Sequence, residues 1–143
     1  MSTEANRALI RRLFEEVWNE GNVAFAQEVA SPDWVAHGNL PGQEMPGLAG
    51  VHRFISIYRT AFPDMHITIE DQVAEGDKVV TRWTATATHS GPLMGIPPTG
   101  RHVTTSGIGI HRIVDGKIVE QWGTDDTLGL MQQLGVVPPL EGK

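Results

Sequence analysis

The stretch DGKIVEQWGTDDTLGLMQQLG, Asp115 to Gly135, reads as a turn, a strand and a terminal helix in succession. Asp115-Gly116 between apolar runs is the signature of a two-residue type I′ hairpin turn, so Gly107 to Val114 and Lys117 to Thr124 are expected to pair antiparallel. With Val114 opposite Lys117, Arg112 falls against Val119, His111 against Glu120, Gly109 against Trp122 and Thr105 near Asp126. Alternation then puts His111, Glu120, Trp122 and Thr124 on one side of the sheet, with Asp126 at its end. Ile108, Ile110, Val119, Gln121 and Asp125 take the other side. A polar and aromatic face opposite a partly aliphatic one fits a sheet whose concave side lines a pocket.

Upstream, the order of elements sets the fold class. Thr3 to Glu20 carries Leu9, Ile10, Leu13, Phe14, Val17 and Trp18 at helical spacing, with a Ser/Thr cap before it and Gly21 after it. A short second helix is expected over Val23 to Ala30, a brief extended piece over Trp34 to His37, and a Gly/Pro-rich loop over Gly38 to Gly47. A third helix, about Leu48 to Ala61, directs Val51, Phe54, Ile55 and Tyr58 inward and stops before Phe62-Pro63-Asp64. The period then changes to two. Met65 to Val73, Lys78 to His89, Arg101 to Val114 and Lys117 to Thr124 read as four antiparallel strands, with Glu75-Gly76-Asp77 as a further turn. Helices first and a meander afterwards indicate an α+β fold. The 143 residues suit one domain, and only Pro138 to Lys143 reads as a loose tail.

Composition narrows the partners. Hydrophobic residues make up 40% and charged residues 20% of the chain, ordinary for a soluble globule, and the net charge is -6. No Lys/Arg cluster interrupts that charge, so neither a nucleic-acid backbone nor an anionic membrane surface finds an electrostatic footing. There is no cysteine, which removes disulfides, thiolate nucleophiles and Cys-based metal sites. The polar amino terminus is unlike a signal peptide and no apolar run approaches membrane-spanning length, so a cytoplasmic protein is expected.

Several short motifs, taken in order, carry a family likeness. They are Val17-Trp18-Asn19-Glu20-Gly21, His37 ahead of a Gly/Pro loop, Ala61-Phe62-Pro63-Asp64, Glu75-Gly76-Asp77-Lys78-Val79-Val80 and Arg82-Trp83. Thr88-His89-Ser90-Gly91, Gly95-Ile96-Pro97-Pro98-Thr99-Gly100 and Asp115-Gly116-Lys117-Ile118-Val119-Glu120 before Trp122 continue it, and Asp126 leads into Leu128-Gly129-Leu130-Met131-Gln132-Gln133-Leu134-Gly135. Nearly end to end, the chain resembles the SnoaL-like polyketide cyclases (ester cyclases) of the NTF2-like superfamily. One departure is Gly109, at a strand position where many relatives place an acid.

The resemblance implies an NTF2-like cone with a curved sheet around helices, and cofactor-free aldol chemistry on a polyketide ester or similar activated carbonyl compound. A carboxylate would remove a proton alpha to carbonyls, the enolate would attack a second carbonyl, and the new alkoxide would be protonated. Asp126 is the expected base, since desolvation beside Trp122 and repulsion from Asp125 would strengthen it. His37, His89 and His111 are candidates to hydrogen-bond the oxyanion or return the proton. Phe14, Trp18, Tyr58, Trp83 and Trp122, together with His89, are the expected substrate contacts.

Each assignment has a structural alternative. Asp126 or Asp125 stands where Asp commonly N-caps a helix, a role compatible with catalysis. His89 could tie its own turn, His37 could start a closing loop, and His111 could be a strand residue paired with Glu120. Trp18, Trp83 and Trp122 are core residues by default. Other chemistries lack their motifs: no His-x-His or His-Glu-x-x-His for a metal, no Gly-x-Ser-x-Gly elbow, and no nucleotide-binding glycine loop. No cofactor is expected. A hydrolase, isomerase or hydroxylase using the same pocket, and a non-catalytic ligand-binding module, stay open. Under any of these the outward aliphatic set Ile108, Ile110 and Val119 suits a homodimer.

Overall fold

The computed structural model describes residues 2–37 and 45–138. Among the described residues four α-helices and six strands follow one another as α1 (Thr3–Arg12), α2 (Val23–Val29), β1 (Ala30–His37), β2 (Met45–Pro46), α3 (Gly47–Ala61), β3 (His66–Glu75), β4 (Lys78–Thr88), β5 (His102–Val114), β6 (Lys117–Asp125) and α4 (Thr127–Gln133). All six strands join one sheet in the order β2-β1-β6-β5-β4-β3. The N-terminal helices pack on its concave face, giving the α+β, NTF2-like cone that the element order implies. Most of the expected loop over Gly38 to Gly47, and the tail after Pro138, lie outside the described residues. Among the described residues no helix is long and apolar enough to cross a membrane.

The first helix departs from expectation in its second half. After Arg12 the chain widens into a π-helical segment, Leu13–Asn19. Its end is held from outside. The Asn19 side chain donates to the Ile67 carbonyl at 2.9 Å and accepts from the Ile67 N–H at 2.6 Å, while Arg59 donates to the Trp18 and Asn19 carbonyls at 2.8 and 3.2 Å. The two Arg59 bonds satisfy carbonyls that a helix end would leave bare, and the Asn19 pair ties that end to β3. Gly21, at φ +75°, then reverses the chain.

β1 begins earlier than expected, at Ala30, and pairs parallel with β6. The four-strand meander is therefore extended by a strand from the N-terminal half. The Asp115-Gly116 turn has the expected geometry, with φ of +51° and +76° at its two residues.

The hairpin register requires a correction. Val114 faces Lys117 and Ile113 faces Ile118, as read from the sequence, but a bulge follows and Arg112 pairs with Glu120 instead of Val119. From there His111 faces Gln121, Ile110 faces Trp122, Gly109 faces Gly123 and Gly107 faces Asp125. The extra residue, Val119, reverses the facing of the rest of β6. Burial explains why this register wins. His111 is 4% exposed, and a straight ladder would set the Glu120 carboxylate beside it inside the protein. The bulge instead turns Glu120 to the outer face, where it meets Arg112 at 3.2 Å and His37 at 2.8 Å.

The core fills the space between helices and sheet. Ile10, Leu13 and Val17 meet Val79, Ile113 and Ile118 there, all at 3% exposure or less.

Candidate active site in the cone

Two walls face each other across the open end. The helical wall is aromatic: Trp18 meets Phe54 edge-on at 5.8 Å, and Phe54 meets Tyr58 in the same manner at 5.4 Å. The sheet wall carries Trp83 on β4, His111 on β5, and Gln121 and Asp125 on β6. Pairing puts all four on the inner face, because Trp83 is opposite Gly107, Gly107 is opposite Asp125, and His111 is opposite Gln121. Trp83 leans over Gly107: a Cβ there would come within 2.5 Å of the indole. Glycine at 107 is what lets the indole lie against the strand.

His111 sits deepest. Phe14 meets its ring edge-on at 6.2 Å, and Nδ1 is buried with no hydrogen-bond partner among the described residues. Burial lowers its pKa from 6.5 to about 4, so the imidazole is neutral at ordinary pH. At the other end, burial raises the pKa of Tyr58, and the charge of Asp125 raises it further. Asp125 also accepts a hydrogen bond from Thr127 Oγ1 at 3.0 Å.

Asp126 has a different setting. It is exposed, and its Oδ1 accepts the Gly129 N–H at 2.9 Å, an N-cap for α4. It lines a shallow groove of about 310 Å³ at the sheet's end, shared by the outer-face residues Arg82, Thr84, Ser106, Ile108 and Thr124 and by Trp83, Gly107 and Asp125 of the inner face. The sequence reading places Asp126, Trp122 and His111 on one side, whereas the bulge gives Asp125 to the His111 side.

His37 and Trp122 come together with each other and not with His111. Paired across β1 and β6, their rings stack at 5.4 Å and 14° on the outer face. His37 there hydrogen-bonds Glu120, and that bond, with help from Arg112, lowers the Glu120 pKa against the opposing pull of desolvation. His89 is separate again. Its Nδ1 accepts the Thr99 N–H at 3.2 Å and lies 3.0 Å from Thr99 Oγ1, which ties the turn after β4, and its ring packs on Phe62 at 5.5 Å. Of the expected contacts, the cone gathers His111, Phe14, Trp18, Tyr58 and Trp83. It adds Asp125 and Gln121, which sequence parity assigns to the wrong face. Among the described residues no group of three His, Asp or Glu side chains could hold a metal ion.

This arrangement of helices, sheet and inward polar groups has known counterparts. Residues 8–134 match the family model of the SnoaL-like polyketide cyclases. The chain belongs to the SnoaL-like polyketide cyclase family. Among its SnoaL-like relatives, aklanonic acid methyl ester cyclase DnrD of Streptomyces peucetius is 31% identical over 139 residues, covering 94% of this chain and 92% of that one. Among solved structures, AclR of Streptomyces galilaeus, described as a candidate hydroxylase, superposes with a TM-score of 0.87 at 31% identity, over 99% of this chain and 87% of that one. IdmH of Streptomyces antibioticus, described as a candidate polyketide cyclase, gives a TM-score of 0.77 at 35% identity, over 92% and 99% of the two chains. The SnoaL-like cone is thus shared with members of an enzyme family that includes cyclases.

Proposed function

We propose that this protein is a cofactor-independent acid/base enzyme that closes a carbon–carbon ring in an activated polyketide ester, or a similar small carbonyl compound, by intramolecular aldol addition. The carrying observation is that one sheet face presents a carboxylate, Asp125, and a neutral buried imidazole, His111, toward an aromatic wall. A carboxylate takes the proton alpha to the carbonyls and the enolate carbon bonds to a second carbonyl carbon. The imidazole N–H hydrogen-bonds the oxygen that becomes alkoxide, and the proton is returned there, so the product is an isomer of the substrate. Family membership and the likeness to DnrD support the reaction class.

The base is drawn from the Asp125-Asp126 step. Asp126 is the residue that the sequence favours, and the geometry favours Asp125, which pairs opposite Gly107 on the His111 face while the carboxylate of Asp126 caps α4. Paired Asn variants separate them, since Asn keeps hydrogen-bonding capacity and loses basicity. With an anthraquinone-type polyketide methyl ester as substrate and mass spectrometry as readout, Asp125→Asn should lower turnover by about 10²–10⁴-fold. Asp126→Asn should stay within about threefold of wild type, because Asn is an equally good N-cap. The reverse pattern would move the base to Asp126, and wild-type inactivity on such esters would sink the aldol reading.

The likeness to AclR favours a second reading, hydroxylation on the same cone. A product one oxygen heavier than its substrate would decide for it. In either case we place the enzyme in the cytoplasm as a homodimer.

A further inference from the structure

At the centre of the inner sheet face two adjoining positions carry no side chain, with the buried Thr81 of β4 standing beside them opposite Gly109. Gly109 on β5 and Gly123 on β6 are direct cross-strand partners, and both lie on the His111 side. A Cβ at Gly123 would have no described atom within 4 Å, and one at Gly109 would meet only ordinary contacts, 3.7 Å from the Trp122 carbonyl and 3.8 Å from Cε1 of His111. Neither glycine has a positive φ. Backbone conformation and neighbour clash, the usual reasons for glycine in a strand, are therefore both missing. Gly107 differs, because the Trp83 indole already occupies its side-chain space.

What stands around the window points to a ligand. His111 is 4% exposed, its Nδ1 lacks a partner among the described residues, and its Cε1, the carbon between the two nitrogens, lies 3.8 Å from where a Cβ of Gly109 would stand. An imidazole held neutral with an unmet hydrogen-bonding edge against bare backbone is costly unless something polar arrives there. At the far end stand Trp83 over Gly107, and Asp125 opposite Gly107. From Gly107 to His111 is four residues of strand, about 13 Å. That is a slot of the length of a few fused rings, floored by peptide groups.

We infer that the Gly109–Gly123 pair is the seat for a planar fused-ring portion of the substrate, which lies flat on the strand backbone with a carbonyl or hydroxyl edge against His111. The inference rests on the acid/base reading for its place in a reaction, but its test reads binding alone. A methyl group at either position would lift the ring system off the floor and away from His111, while leaving a small acyclic carbonyl compound room beside it. The two glycines thus select for flatness.

The probe is 1,8-dihydroxyanthraquinone, titrated by tryptophan quenching and by calorimetry, with ¹⁵N-imidazole signals of His111 followed on binding. Wild type should bind saturably and shift the His111 signals. Gly109→Ala and Gly123→Ala should each weaken binding at least tenfold and abolish that shift, with melting temperature unchanged or raised. Thr124→Val, one residue along β6 on the outer face, should bind like wild type. Affinity within twofold of wild type in folded Ala variants would overturn the seat, as would the absence of saturable binding or of a His111 shift in wild type. Loss of turnover in Asp125→Asn with probe binding intact bears on the acid/base reading only, so the two fail separately.

Discussion

His111 gives the site a titration that the whole molecule feels. In the native chain burial holds its pKa near 4, against 6.5 in the unfolded chain. Between those values the unfolded chain binds more protons than the native one, so stability is complete above about pH 6.5 and falls as the pH drops. The loss ends once the pH is below about 4. At about 1.4 kcal/mol per pH unit the full drop is of the order of 3 kcal/mol. Urea midpoints measured from neutral to acid pH should show this slope in wild type, and His111→Phe, which replaces one buried ring by another beside Phe14, should flatten it. An equal slope in the variant would assign the acid sensitivity to other groups. Residue chemistry of this kind was partly legible beforehand: His111 was among the candidates, whereas its burial depends on a register that no residue type announces.

At the level of elements, Asp126 carries a measurable load. α4 is seven residues long, too short to hold itself, and its first free N–H group in reach of a side chain is met by the Asp126 carboxylate. Asp126→Ala should cost about 1 kcal/mol, read as a lower urea midpoint, with Asp126→Asn close to wild type. A cost of zero for Ala would mean that packing of Leu130 and Leu134 alone seats the helix. Element limits were readable because hydrophobic period and turn residues are local: α3, β4 and β6 start or stop within about a residue of the expected places. Val119 was not readable as a bulge. It is neither Gly nor Pro, and it continues an apolar pattern, so only the penalty of a carboxylate beside buried His111 marks it. That one residue carries Asp125 from the outer face to the inner one.

Across the whole molecule, the outer face carries an apolar row that crosses four strands: Val73, Val80, Ile110 and Trp122 are successive cross-strand partners. Val73 is 64% exposed and Ile108, in the adjacent row, 46%. A second copy packed on this face would cover both. Light scattering should find a dimer, and Ile108→Glu should give a monomer that keeps its helical and sheet circular dichroism. A wild-type monomer at micromolar concentration would remove the homodimer from the proposal.

The parallel seam between β1 and β6 was invisible in the sequence, since parallel neighbours share no turn and His37 meets Trp122 from the far end of the chain. Its consequence concerns time. β3 to β6 are joined in sequence order and can zip as each strand emerges, whereas β1, whose other neighbour is only the two-residue β2, must wait for β6 before it joins the meander. Until then Trp34, which ends 1% exposed, has no finished core to enter. A ribosome must therefore deliver nearly the entire chain before the cone can shut, and the apolar N-terminal third is the part that chaperones would have to shelter meanwhile.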